Sequence, residues 1–372
     1  MQKLEIAVHF ESLKDPRMET PNKVHKLIDI VVLSVCAVMS GGEGWKDIHT
    51  YAVSRRHIFE KYLSLENGIP CDDTFRRVMS AIKPSALEEC FQSWVRSISK
   101  VVENEVINVD GKTLRRSHDH KAGLKALHLV SAWASENQIL LGQVAVDEKS
   151  NEITAIPKLL EMLELKGAII TIDAMGCQRS IAQQIVDGEG DYVIGLKGNQ
   201  GTLHDDVKSL AEEVLATSQS GVRTTRSEET AHGRIEARDY FQIKPPQEFL
   251  EKHQWPGLKT IGVAVSTTTR KGKEETEVRY YLLTLPMGVK RFAEVCRKHW
   301  GIENSLHWTL DVTFNEDQSR IRNGDGAINV ASIRRLAISL FKNYKASVRQ
   351  RKLKAAWSEG YLFKVLGISP GK

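Results

Sequence analysis

Cysteine is sparse in this chain and never paired. Cys36, Cys71, Cys90, Cys177 and Cys296 are odd in number and scattered, and no two form a CxxC unit. That pattern argues against a disulfide framework and a thiolate zinc site, and it fits a reducing cytoplasm. Long apolar runs are missing too. The longest, Leu27–Met39, contains Asp29 and falls short of the roughly 20 residues that span a bilayer, so it is expected to be a buried core helix. It begins behind a charged stretch, too far in for a signal peptide. Internal repeats and low-complexity tracts are absent. A net charge of only +5 over 372 residues permits nucleic-acid binding without demanding it, so the distribution of charge must decide. What remains, 41% hydrophobic and 27% charged, is the composition of a soluble globular protein, and the length calls for a core with additions.

Four segments follow from texture. Residues 1–98 read as a helical domain, with an apolar helix over Val24–Ser40 ended by Gly41-Gly42 and an amphipathic one over Trp45–Leu63. After Gly68-Ile69-Pro70, Asp72 or Asp73 is expected to cap a third helix carrying Arg76 and Arg77. That arrangement resembles a helix-turn-helix reader of DNA. A plain helical bundle with solvated arginines fits it equally well.

Residues 99–217 change character. Strands are expected over Val106–Asp110, Leu127–Ala134, Ile139–Val146, Ala168–Asp173 and Asp191–Leu196, with helices over Ile153–Leu165 and Cys177–Val186. Acids close the first and fourth strands. The order β-β-β-α-β-α-β resembles an RNase H-like core with a mixed five-stranded sheet, in which first and fourth strands lie side by side. Asp110 and Asp173 would then share one site beyond the strands' carboxyl ends. A helix to about Thr217 and a hydrophilic stretch come next. Ile235–Ile243, Thr260–Thr267 and Glu277–Leu285 alternate like strands around a charged turn at Arg270–Glu275, so residues 218–287 read as a β-rich insertion. Residues 288–372 return to helix, apart from a strand-like break near Val312–Phe314.

Acids that follow strands are often only turn or helix caps. With a third acid, Asp110 and Asp173 become a site for Mg²⁺, which favours carboxylate oxygens and keeps positions open for water and phosphate. In a helix over Phe292–Leu310, Phe292, Val295, Cys296, His299, Ile302, Leu306 and Leu310 fall on one stripe together with Glu303. A carboxylate on a core-facing stripe requires a compensating cation. Gly301 lowers helix propensity there by about 1 kcal/mol and admits a local irregularity. The competing acids Asp311, Glu316 and Asp317 lie where a solvated turn is expected.

Val109-Asp-Gly-Lys-Thr-Leu-Arg115, Ile172-Asp-Ala-Met-Gly-Cys-Gln178 and His299-Trp-Gly-Ile-Glu-Asn304 together resemble the H-repeat-associated DDE transposases of bacterial insertion sequences. Asp191–Gln200, His232–Glu236, Leu310–Asp317 and Gly68–Arg77 extend the likeness over essentially the whole chain. The resemblance implies that Asp110, Asp173 and Glu303 are the catalytic, metal-binding triad, using Mg²⁺ or Mn²⁺, two ions per site. It also implies a β-strand insertion within the 130 residues between Asp173 and Glu303. The wider class places Tyr, Arg and Lys around the glutamate. Cys296, His299 and Leu310 stand there instead, so a hairpin intermediate is not implied.

The expected partner is double-stranded DNA, element ends and target, bound by a homodimer in the bacterial cytoplasm and at the nucleoid. Candidate DNA contacts are Arg76, Arg77, Lys197, Arg349, Arg351, Lys352 and Lys354. The last four belong to Ala327–Ser358, a stretch with Arg334, Arg335, Lys342 and Lys345 but no acid, which favours a phosphate-tracking surface. His118 and His120 read as a solvated basic loop, and Trp300 and Trp308 as core packing. A stand-alone nuclease of the same fold and a non-catalytic DNA-binding descendant are the rival functions.

Overall fold

The structure, a computed structural model, describes residues 5–98, 104–118, 123, 125–147, 150–217, 221–231, 234–270, 272–342 and 345–367. His120 and His232 lie outside these residues, as do the expected boundaries at 98/99 and 217/218 in part.

The amino-terminal helices are α1 (Glu5–His9), α2 (Leu27–Met39), α3 (Trp45–Ser54), α4 (Arg56–Phe59), α5 (Asp72–Ala81) and α6 (Pro84–Ile98). The apolar run forms α2 and is buried from Asp29 to Met39, as a helix without a polar face must be. The second expected helix is broken at Arg55, whose φ of −111° and ψ of 11° leave the helical region. Ser54 donates its hydroxyl to the Tyr51 carbonyl there, an acceptor it shares with the Arg55 N–H. Helix α5 is capped at Cys71, without a side-chain bond, and not by an aspartate. Asp72 and Asp73 lie in its first turn, where the helix dipole favours negative charge.

Then come β1 (Val106–Thr113), β2 (His128–Ala134), β3 (Ile139–Ala145), α7 (Glu152–Glu161), β4 (Ile169–Ile172), α8 (Arg179–Asp187), β5 (Asp191–Leu196) and α9 (Thr202–Thr217). The chain continues through β6 (Val222–Ala231), β7 (Arg234–Ile243), α10 (Gln247–His253), β8 (Thr260–Arg270) and β9 (Lys273–Leu283). The nine strands of the described residues form one sheet in the order β3-β2-β1-β4-β5-β9-β8-β7-β6. The five expected core strands are there, with β1 parallel to β4 and β4 parallel to β5. The insertion strands do not stand apart: β9 pairs antiparallel with β5 from Val193↔Leu283 to Leu196↔Tyr280. Strand β6 forms from the hydrophilic stretch. Its Thr, Arg, Ser and Glu residues show no apolar face because it is the sheet edge, where charge discourages further pairing.

Helix α11 (Val289–Ile302) packs against β1, β4, β5, β6 and β7. Gly262 on β8 permits this approach, since a Cβ there would overlap the Phe292 ring. Helix α7 lies against β2 and β3. A π-helical turn, Glu303–His307, joins α11 to α12 (Trp308–Thr313). The expected strand-like break at Val312–Phe314 is thus the end of a helix. Its β-branched Val312 is exposed, so no sheet partner holds it.

Helices α13 (Gly326–Phe341), α14 (Val348–Trp357) and α15 (Glu359–Val365) return to the amino-terminal helices. One apolar cluster runs from Ile6 and α2 through α6 to α13, Phe363 and Leu366. Asn329 on α13 donates to the Met79 and Ile82 carbonyls, tying the two ends of the chain together. No helix among the described residues is long and apolar enough to cross a membrane.

Candidate active site

The last register pair of β1 with β4 is Val109↔Ile172, so Asp110 and Asp173 are the next residues on two adjacent parallel strands. Beyond that point β1 continues only against β2, to Thr113. This is the carboxyl end of a parallel pair, where backbone groups are released from the ladder and ligands bind. Asp173 also works as a local turn acceptor: its Oδ1 receives the N–H groups of Met175 at 3.0 Å and Gly176 at 3.2 Å. Asp110 accepts from the Gly111 N–H at 2.9 Å.

Glu303 reaches the same place from the junction of α11 with the π turn. Its side chain is 72% exposed, lining a cleft of about 750 Å³ with Asp110 and Asp173. The expectation of a core-facing glutamate is corrected here. Ile302 and Leu306 fill the buried stripe, while Glu303 lies at its margin, at the mouth of the cleft. The inward position belongs to His307, 5% exposed. Its Nδ1 lies 2.9 Å from Glu303 Oε2 and 3.7 Å from Asp110 Oδ2. One ligand atom from each of Asp110, Glu303 and His307 falls within 4.8 Å of the others.

Burial pushes the Asp110 carboxyl up to about 7; the Gly111 hydrogen bond opposes this, and the charges of Asp173, Glu152 and Glu303 add to it. Asp173 is raised too, by burial first and by Glu152, with Lys197 pulling the other way. Burial lowers His307, keeping the ring neutral. Nδ1–H can then donate to Glu303, while the buried Nε2 has no partner among the described residues. Among the described residues no lysine or arginine makes an ion pair with Asp110, Asp173 or Glu303. Converging carboxylates with no lysine or arginine in direct ion pairs form a hard-oxygen donor set, and that fits a divalent ion.

The competing acids have other partners. Asp311 and Asp317 flank Lys112 Nζ at 2.8 and 3.4 Å. Glu316 pairs with Arg335 at 2.6 Å, both side chains fully buried.

Lys197 follows β5 and lines the cleft. Arg76 and Arg77 are on α5, both paired with Asp73. The carboxy-terminal basic run does not form one surface. Arg334 and Arg335 are buried in α13, where helix periodicity turns them inward towards Glu316. Arg351 donates to the Phe341 carbonyl at 2.6 Å and Lys352 to that of Thr313 at 2.6 Å, so these two heads close helix ends of their own chain. Arg349 and Lys354 are exposed. His118 binds the Arg115 carbonyl. Trp300 lines the cleft beneath the Arg279 guanidinium, 4.0 Å above its ring. Trp308 is 56% exposed and not core. His307 was the residue missed by sequence reasoning, although its position four residues after Glu303 was a readable signal for a shared helix face.

A sheet whose central parallel strands deliver carboxylates at their carboxyl ends, met by a helix-borne glutamate, defines an RNase H-like protein. The comparisons with known proteins make this specific. Residues 102–340 match the family described as "Transposase DDE domain", and residues 7–95 match its companion, "DDE_Tnp_1-associated". The chain is 40% identical to the "H repeat-associated putative transposase YhhI" of Escherichia coli K12, covering 99% of each. It is 41% identical to the "Putative transposase YncI" of Escherichia coli O157:H7, over 94% of this chain and 92% of that one. The chain belongs to the DDE transposases of insertion-sequence elements, a family that acts on DNA and uses divalent metal.

Proposed function

We propose that this transposase cuts DNA at the ends of its element and joins the freed 3′-hydroxyl to target DNA, with Asp110, Asp173 and Glu303 as the catalytic acids. The convergence of these three carboxylates in one cleft, none ion-paired to a lysine or arginine among the described residues, carries the reading. In the first step a water oxygen bonds to the scissile phosphorus and the bond to the 3′-oxygen breaks. In the second, that 3′-oxygen bonds to a target phosphorus and the target's own 3′-oxygen leaves, so no covalent enzyme intermediate is needed. The three acids would hold Mg²⁺ or Mn²⁺, two per site, and the bound ions would activate the attacking oxygen and stabilise the leaving one.

The chain's own residues do the rest. Asp110 is fixed by its Gly111 bond and Asp173 by its turn, so neither reorganises when substrate arrives. His307 orients Glu303 by donating to one oxygen, leaving the other towards the cleft. Lys197, beside Asp173, contacts a phosphate of the bound strand. Arg76, Arg77, Arg349 and Lys354 contact duplex phosphates further out; Arg351 and Lys352 contribute to DNA binding mainly through the helix ends they hold. Two element ends must meet, so a homodimer on DNA is the working unit, and the bacterial cytoplasm, where its DNA lies, is its place of action.

Asp110→Asn and Asp173→Asn keep side-chain shape and remove charge. Each is expected to abolish nicking of a DNA end while the melting temperature holds or rises. Near-normal nicking by either variant contradicts the assignment. Strand-transfer product from the native protein separates a transposase from a stand-alone nuclease.

A further inference from the structure

The strand ends that carry Asp110 and Asp173 are open on both faces of the sheet. Asp110 faces the π turn, its Oδ2 3.7 Å from His307 Nδ1. Position 111 faces α7, because side chains alternate along a strand and a Cβ at Gly111 would overlap Glu152 and His128. On this α7 side lies a second groove, of about 470 Å³. It extends from Met175, whose N–H donates to Asp173 Oδ1 at 3.0 Å, to Arg322 on the segment before α13. The two acids that line it are engaged within the chain, Asp147 with Lys158 at 3.4 Å and Glu152 with His128 at 2.7 Å.

Arginines border this groove on a braced frame. The chain leaves β1 through a turn in which the buried Ser117 hydroxyl donates to the Leu114 carbonyl at 2.7 Å and accepts from the Leu127 N–H at 2.6 Å. Arg322 Nε donates to the Arg116 carbonyl at 3.2 Å, joining that turn to the segment before α13. Its two terminal nitrogens have no partner among the described residues. Arg116 and Arg320 are exposed, and neither makes an ion pair among the described residues. Ile321, between Arg320 and Arg322, is buried, which turns both neighbours away from the core. Arg115 differs, since it pairs with Asp317 at 3.3 Å. Guanidinium groups held on a fixed frame, with donors left over, match the charge and geometry of backbone phosphates.

We propose that Arg116, Arg320 and Arg322 seat the target duplex, while the main cleft takes the element end. The inference rests on the proposed joining reaction. In-line displacement puts the attacking 3′-oxygen and the leaving oxygen on opposite sides of the target phosphorus, so end and target reach the acids from different sides. The arginine ridge supplies the second approach, on the face that the cleft does not occupy. Phosphate contacts carry no base information, so such a seat accepts many target sequences.

Binding without chemistry tests this. The full chain is first bound to a pre-cut element end, and a labelled duplex lacking the end sequence is then titrated in. Ca²⁺ replaces Mg²⁺, balancing the acids' charge with a looser coordination geometry. Arg116→Gln with Arg320→Gln should weaken capture of that duplex and lower its slope of log K against log salt by roughly 1.8, about 0.9 for each phosphate. Affinity for the element end alone and the melting temperature should hold at native values, because neither side chain has a partner in the fold. Arg116→Lys with Arg320→Lys should recover the slope, since the charge is kept. An unchanged slope in the glutamine variant, an equal loss of affinity for the element end, or no target capture by the native complex overturns the proposal. A native complex that captures target but neither cuts nor joins DNA with Mg²⁺ or Mn²⁺ counts against the proposed function, and the titration still decides the role of the ridge.

Discussion

Glu88 on α6 shows how a single residue ties stability to pH. It is buried, and burial pushes its carboxyl up to about 7, against the opposing charge of Arg335 and hydrogen bonds from Ser332 and Gln92. The raised value means the fold prefers the protonated acid. Its contribution is fully present below the ordinary carboxylate range and is lost as pH rises towards and through 7. Glu88→Gln should therefore melt near the native temperature at pH 4.5 and be more stable at pH 8, by up to about 3 kcal/mol. Equal melting temperatures at pH 8 would show that solvent or Arg335 already satisfies the charge. At this scale the sequence was readable where chemistry and pattern coincide. Asp110 and Asp173 each end a run of β-branched residues, and both lie where the parallel strands part. The space that Gly111 leaves for the Glu152 and His128 side chains was not readable, because it joins residues far apart in sequence across the sheet.

Elements were legible in proportion to their apolar faces. Strand β5 matches its expected bounds, Asp191–Leu196, because it is buried along almost its whole length. Strand β6 was hidden because an edge strand with polar residues on both faces has no period to detect. The π turn at Glu303 was hidden for a related reason. Stripe arithmetic assumes 3.6 residues per turn, and one wider turn shifts which side chain faces the core, exchanging Glu303 for His307. Helices α13 and α14 divide a basic run into inward and outward halves. Arg349→Ala with Lys354→Ala should lower the slope of log K against log salt by roughly 0.9 for each phosphate no longer neutralised, with little change in melting. Arg351→Ala or Lys352→Ala should instead destabilise, by about 1.5–3 kcal/mol for a charge-assisted bond to a helix-end carbonyl. A salt-dependence series and a melt on the same samples distinguish the two. Loss of stability without change of slope in the exposed pair would place those residues in packing too.

On the scale of the molecule, the fold is continuous from end to end. The insertion extends the central sheet through β9, and its strands build one wall of the cleft in which the acids meet. The two chain termini share a core, so α11, the π turn and α13 are held by the amino-terminal helices as well as by the sheet. That continuity lets Glu303, 130 residues from Asp173 in sequence, hold position beside the aspartates. One centre should then serve both cutting and joining. The direct measurement supplies a pre-cut DNA end with a free 3′-hydroxyl and scores its transfer to target, so that joining is observed without cutting. The native protein should transfer the end with Mg²⁺ or Mn²⁺, and Glu303→Gln and Asp110→Asn should not, although both fold and bind the end. Transfer at native rates by either variant would contradict the single centre.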